Sequence, residues 1–214
     1  MFHNRKDAGI QLANALNEYQ NQDVTVLAIP RGGVEVGYYV ADQLNAAFDL
    51  VIVRKLPLPD NPEAGFGAMA EDGSMFIFDK ASFWLDEQMI ERIKEEQMQE
   101  VKRRVYLFRQ NRPMTDISGE TVILVDDGLA MGSTMRATIK LCRHQGAQTI
   151  IVAVPVTGKD TMMQIDELVD RVIVLETPPL FRAVAQVYQD WYDVSDEEVL
   201  TFLKKHHANI NMKQ

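Results

Sequence analysis

The run TVILVDDGLAMGST, residues 121–134, constrains the fold of this chain more than any other stretch. Val122, Ile123, Leu124 and Val125 are uninterrupted apolar residues, the pattern of a parallel strand covered on both faces. Asp126 and Asp127 follow where that strand ends, which is where open α/β sheets bind ligands. Gly128 and Gly132 let the backbone turn tightly and bring its N–H groups close to an anion. Ser133 and Thr134 then open a helix, whose positive end suits a phosphate. Carboxylates favour hydroxyls or a hard cation, and the turn favours a phosphate. A ribose with a 5′-phosphate offers both, and Mg²⁺ fits a carboxylate-plus-phosphate site.

The rest of the chain repeats the strand-then-helix alternation. Residues 6–20 predict an amphipathic helix and residues 24–29 (VTVLAI) a buried strand. PRGG at 30–33 precedes an apolar helical stretch, VEVGYYVADQL. Its glycines expose N–H groups and Arg31 adds a fixed charge, although Gly-Gly serves a plain strand–helix turn equally well. DLVIVRK, residues 49–55, reads as one strand ending in Arg54 and Lys55, two cations suited to an anionic ligand or to a solvated strand end. Residues 56–74 hold three prolines and three glycines and are expected to be neither helix nor strand. Their GFGAMA follows a loop and not a strand, so it is not read as a dinucleotide site. Residues 75–79 predict a short strand. Residues 82–110 predict a long charged helix, with Trp84, Met89, Ile93, Val101, Val105 and Phe108 buried.

Beyond the central run, a helix over 133–145, strands over 149–156 and 171–176 and a helix over 160–169 complete the pattern. The fold class expected is α/β: a doubly wound, mostly parallel sheet in a single domain, residues 1–214, with its core at about 24–176. Residues 177–208 leave the sheet pattern and carry Phe181, Val184, Tyr188, Trp191 and Tyr192. Aromatics of this kind stack a base or pack a cap helix. Ser195, with Glu198 three residues on, predicts the cap of the last helix. A receiver domain also places an acidic pair after a strand, but too little chain follows Asp126 here for that domain.

With these residues in view, the chain resembles the type I phosphoribosyltransferases, which use phosphoribosyl pyrophosphate (PRPP). The resemblance spans about residues 24–176 and is nearest a bacterial branch with PRGG and VDDG signatures. It implies that Asp126 and Asp127 bind the ribose hydroxyls. Ala130, Met131, Gly132, Ser133 and Thr134 would hold the 5′-phosphate, with Gly128 also among the residues that bind PRPP. Arg31, Gly32 and Gly33 would form the pyrophosphate loop, with Arg54 and Lys55 also reaching pyrophosphate. It further implies Mg²⁺ carried with PRPP, by way of Asp126 and Asp127, a nitrogenous acceptor such as a nucleobase, and a homodimer.

Residues 56–74 correspond to the flexible loop that closes over the reacting centre; Glu71 falls where some members carry an acid. PPLFRAVAQVYQDW resembles the hood of purine members, with Phe181 and Trp191 as brackets for the acceptor. Two departures stand out. Met131 replaces the usual threonine, and the long loop lacks the basic residue that several members place there. Some relatives bind PRPP or a nucleotide without catalysis and regulate other proteins, which is the alternative reading.

Charge and cysteine content narrow the partners. A net charge of −9 argues against binding a nucleic-acid backbone or a membrane surface. The lone cysteine, Cys142, excludes a disulfide framework within the chain and is expected in the core. The start, MFHNRKDAGI, has no apolar leader, so a cytoplasmic address is expected. His206 and His207 lie near no acid cluster and are not read as metal ligands.

Overall fold

The computed structural model describes residues 1–83 and 85–213, so the burial expected of Trp84 lies outside the described residues. The main sheet has five parallel strands: β1 (Val24–Ala28), β2 (Ala47–Leu50), β6 (Thr121–Val125), β7 (Thr149–Val156) and β8 (Arg171–Glu176). Their order is β2-β1-β6-β7-β8. The helices α1 (Arg5–Ala15) and α2 (Gly32–Leu44) cover one face. The other face is covered by α4 (Ser133–His144) and α5 (Lys159–Asp166). This is the doubly wound α/β fold expected from the alternation. β1 is buried along its whole length, and β6 and β7 are buried after their first residue. Each fully buried Val, Leu or Ile stabilises such a sheet by roughly 1.5–3 kcal/mol. Cys142 lies in the core beneath α4 as expected.

A second, antiparallel sheet corrects two expectations. It consists of β3 (Val53–Leu58), β4 (Asn61–Ala70) and β5 (Met75–Ile77), in that order. Residues 56–74 were expected to be irregular, yet most of them lie in this sheet. Pro57 is tolerated because the β3–β4 register shifts on both sides of it. Phe66, Ala68 and Ala70 are buried, so the stretch has apolar content that its prolines and glycines disguise. Met69 and Leu56 pack toward α3 (Glu87–Arg109), while Ala68, Ala70 and Val53 join the core under α4.

Residues 49–55 are likewise two strands in two sheets. Leu50, Val51, Ile52 and Val53 are all buried, which makes them read as one run. Their hydrogen bonds tell them apart. Val51 donates its N–H to the Ala28 carbonyl, still in the main sheet, at 3.1 Å. Ile52 donates instead to the Glu71 carboxylate at 2.9 Å, and the chain leaves for β3. Arg109 pairs with the other oxygen of Glu71; the Arg109 side chain is buried and that of Glu71 is mostly covered. Arg54 and Lys55 therefore ride on the small sheet rather than at the mouth of a parallel strand.

Other boundaries differ by a turn. α1 gives way to a 3-10 turn at Asn17–Tyr19, and α5 ends at Asp166. α3 starts at Glu87 because the Asp86 side chain accepts from the Met89 N–H, a proper N-cap. Ile93, Val101 and Phe108 are buried on it as expected. The last helix, α6 (Asp196–Lys213), has the expected reciprocal cap. Glu198 donates its N–H to Ser195 Oγ at 3.2 Å, and the Ser195 N–H donates to Glu198 Oε2 at 2.8 Å.

Candidate active site

The carboxyl ends of β1 and β6 lie side by side, with Ala28 opposite Val125. The Ile29 N–H donates to the Val125 carbonyl at 2.9 Å, which extends the pairing one residue past the strands. The PRGG turn is thereby laid against the acid pair. A Cβ at position 33 would stand 2.8 Å from the Asp126 Cα and 2.9 Å from the Val125 carbonyl oxygen. A Cβ at position 32 would run into the Asp127 carboxylate. Glycine at both positions is therefore a requirement of close approach. The Pro30–Arg31 peptide bond is cis.

Asp127 is held from several directions. Its Oδ2 accepts from Arg5 Nε at 2.9 Å, and Arg5 is only 3% exposed. Arg5 Nη1 donates to the Tyr192 carbonyl at 2.9 Å, and its guanidinium stacks 4.0 Å from the centre of the Trp191 ring. The Tyr188 hydroxyl donates to the Asp127 carbonyl at 2.7 Å. The Asp127 N–H donates to Asp126 Oδ1 at 2.9 Å. Burial, then the neighbouring Asp127 charge, raises the Asp126 carboxyl well above the usual carboxylate range. Burial also raises Asp127, against the pull of Arg5. Glu35, in the first turn of α2, is buried and raised for the same reason, again opposed by Arg5. Tyr192 is pushed up to about 12 by burial and by the Glu35 charge.

Beside the acids, residues 128–134 line a cavity of about 230 Å³. Gly132 takes φ +71°, a left-handed conformation, and α4 begins at the next residue. Thr157 Oγ1 donates to the Leu129 carbonyl at 2.9 Å and Thr161 Oγ1 to the Ala130 carbonyl at 3.1 Å, which fixes the turn. Met131 is 59% exposed. Lys55, Gly65 and Val184 close the cavity's other sides.

The expected site residues thus fall into linked groups. Gly32 and Gly33 meet Asp126 and Asp127; Lys55 lines one cavity with Gly128 through Thr134. Arg54 donates from Nε to Gln97 at 3.3 Å. Burial, with the Arg104 and Arg31 charges nearby, lowers its pKa from the usual arginine value. Arg31 Nη1 lies 3.6 Å from Asp196. The two aromatics expected as brackets are placed apart in role. Trp191 covers Arg5 and touches Tyr188, whereas Phe181 packs with Val156 and Val184 near Gly158. Glu71, whose role the sequence left open, pairs with Arg109 at the junction of the two sheets. Arg5, Glu35 and Tyr188 were not found from sequence. An arginine beside Lys6 at the start of an amphipathic helix carries no signal that it will turn inward. Tyr188 was noted only as one aromatic among several.

A doubly wound sheet with glycine turns and an acid pair at its carboxyl end places the molecule in the class of open α/β proteins, whose ligands bind outside the carboxyl ends of the strands. Within that class, the family model described as phosphoribosyl transferase domain matches residues 2–190, and the chain belongs to the phosphoribosyltransferase family. Two Mycobacterium tuberculosis proteins, of strains CDC 1551 / Oshkosh and H37Rv, are each 38% identical to it over 211 residues, or 98% of this chain. Their names assign them provisionally to the phosphoribosyl transferases. The chain spans about half the length of these curated relatives, 48%. The crystal structure of the Thermus thermophilus protein TT1426 is similar at 35% identity and a TM-score of 0.79, covering 95% of this chain and 98% of that one.

Proposed function

We propose that the protein transfers a phosphoribosyl group from PRPP to a nitrogenous acceptor, releasing pyrophosphate. The acceptor nitrogen forms a bond to C1 of the ribose, the bond from C1 to pyrophosphate oxygen breaks, and pyrophosphate leaves with that electron pair. The acceptor nitrogen gives up its proton. The observation that carries this reading is the convergence of the PRGG turn, the acid pair and the glycine cup with Lys55 at one end of the sheet.

Asp126 and Asp127 would hold the ribose hydroxyls, with Asp127 oriented by Arg5. The amides of residues 128–134 and the hydroxyls of Ser133 and Thr134 would hold the 5′-phosphate. Arg31, Arg54 and Lys55 would offset charge on the leaving pyrophosphate, so catalysis is chiefly positioning and electrostatics. Two adjacent carboxylates are the hard oxygen donors that Mg²⁺ takes. Among the described residues no further acid, His or Cys completes a metal cluster, so substrate phosphates and water would fill the remaining positions. When bound, Mg²⁺ supplies neutralisation of the phosphate oxygens. Phe181 and Trp191, on the chain's C-terminal hood, mark where an acceptor would enter. We place the protein in the cytoplasm, as a homodimer and without nucleic-acid or membrane partners; among the described residues no helix is long and apolar enough to cross a membrane.

The test is exchange of labelled pyrophosphate into PRPP with candidate bases added, beside calorimetry of PRPP with Mg²⁺. Exchange with at least one base supports transfer. A second reading, a PRPP or nucleotide binder that regulates other proteins, is favoured by the Arg5 grip on Asp127 Oδ2 and by Met131 in the cup. Tight PRPP binding with no exchange on any base would select it. Absence of PRPP binding would reject both.

A further inference from the structure

A larger cavity, of about 380 Å³, lies away from the acid pair, between edge strand β2, the C-terminal end of α3 and α6. Its volume is within the range of small-molecule sites, roughly 300–1,000 Å³. Phe48, Phe108, Leu200 and Leu203 give it apolar walls. Arg109, Arg112 and Lys204 line it against one acid, Asp49, and His207 stands at its rim. The Asp49 carboxylate is already occupied: Oδ1 accepts from the Leu50 N–H at 2.7 Å and Oδ2 from the Thr115 N–H at 2.8 Å. In a chain of net charge −9, three cations around one cavity form a local positive field.

Arg109 makes the case for a ligand. Its side chain is 5% exposed, and its Nη2 donates to Glu71. Its buried Nε and Nη1 have no hydrogen-bond partner among the described residues. Unpaired donors on a buried cation are costly, by about 1–3 kcal/mol per group, and an anion with several acceptor oxygens would satisfy them.

We infer that this cavity binds a small organic phosphate monoester with a flat apolar body, its phosphate on Arg109, Arg112 and Lys204 and its body between Phe48, Phe108 and Leu203. The dianion suits three cations better than a carboxylate does, because it brings more charge and more acceptor oxygens. Because Nε and Nη1 of Arg109 have no exposed surface, its guanidinium must turn toward the cavity to meet the phosphate, while Nη2 keeps Glu71. Glu71 also holds the Ile52 N–H, two residues before Arg54. An occupant would thus tighten the crossing from β2 to β3.

The experiment titrates the whole chain with 1-naphthyl phosphate, which lacks a ribose, and follows it by calorimetry. At this cavity one site is expected, weakened at least tenfold by Arg112→Glu and by Lys204→Glu and unchanged by Lys55→Ala, which separates it from the cup of residues 128–134. Inorganic phosphate should bind more weakly than the naphthyl ester. Hydrogen exchange at the Ile52 amide should slow on saturation, a readout independent of activity. Circular dichroism shows whether each variant is folded; variants at Arg109 are avoided because of its buried partner. The assignment is overturned if the ester does not bind, if both charge-reversal variants bind it as the natural chain does, if inorganic phosphate binds equally well, or if exchange at Ile52 is unchanged.

Discussion

Replacing Arg5 by methionine removes the cation that faces Asp127 while keeping most of the side chain's volume. Arg5 is 3% exposed and Asp127 13%, so the carboxylate left behind would be buried and uncompensated. Breaking one partner of such a pair costs about 3–5 kcal/mol, against 0–1 kcal/mol for an exposed pair. The bond to the Tyr192 carbonyl and the stacking on Trp191 are lost as well. For a chain of this length each kcal/mol moves the melting midpoint by about 2–4 °C, so the loss should be on the order of 10 °C.

The deficit should depend on pH. Asp127 already has a folded pKa above its unfolded value, and the substitution raises it further. A carboxyl raised on folding loses stability as pH climbs above its unfolded pKa, because the folded state holds on to the proton. Arg5→Met should therefore be least harmful in mild acid and most harmful at neutral and alkaline pH. Adding Asp127→Asn should restore part of the loss, so that the double variant is more stable than the sum of the singles implies. Urea unfolding of the four proteins at two pH values measures all of this. A cost below about 1 kcal/mol at neutral pH, or strict additivity, would show that the pair behaves as a surface ion pair and refute the reasoning.

Asp126→Asn should raise the melting temperature at neutral pH, with the gain shrinking toward pH 4, since it removes a carboxyl whose charge is disfavoured by burial; calorimetric melts read it, and PRPP binding should fall in the same protein. Gly33→Ala drives a Cβ into the Asp126 backbone, so the variant should melt lower and lose PRPP affinity in a titration. Cys142 is fully buried and its thiol is pushed up to about 12 by burial, so a thiol reagent at pH 8 should label it only after urea is added.

The parts of this fold that were readable are those where one signal decides. The largely apolar runs of β1, β6 and β7 have no competing reading, and the acids and glycines after β6 fall at fixed places on the sheet. The Ser195–Glu198 cap is equally local. What was hidden depends on partners distant in sequence. The Leu50–Val53 run looks continuous because every side chain in it is buried; only the Ala28 carbonyl and the Glu71 carboxylate divide it between two sheets. Residues 56–74 suggested a loop because a proline is harmless at a register shift, and no composition reveals where the shift will fall. Arg5 is invisible for the same reason: it lies 122 residues from the acid it serves.

Phe2 rests against Tyr188, and Tyr188 in turn reaches Asp127. Two segments far apart in sequence are thus tied together over the backbone of one acid. A change that loosens Phe2 from Tyr188 would be felt at the acid pair as surely as a substitution within it.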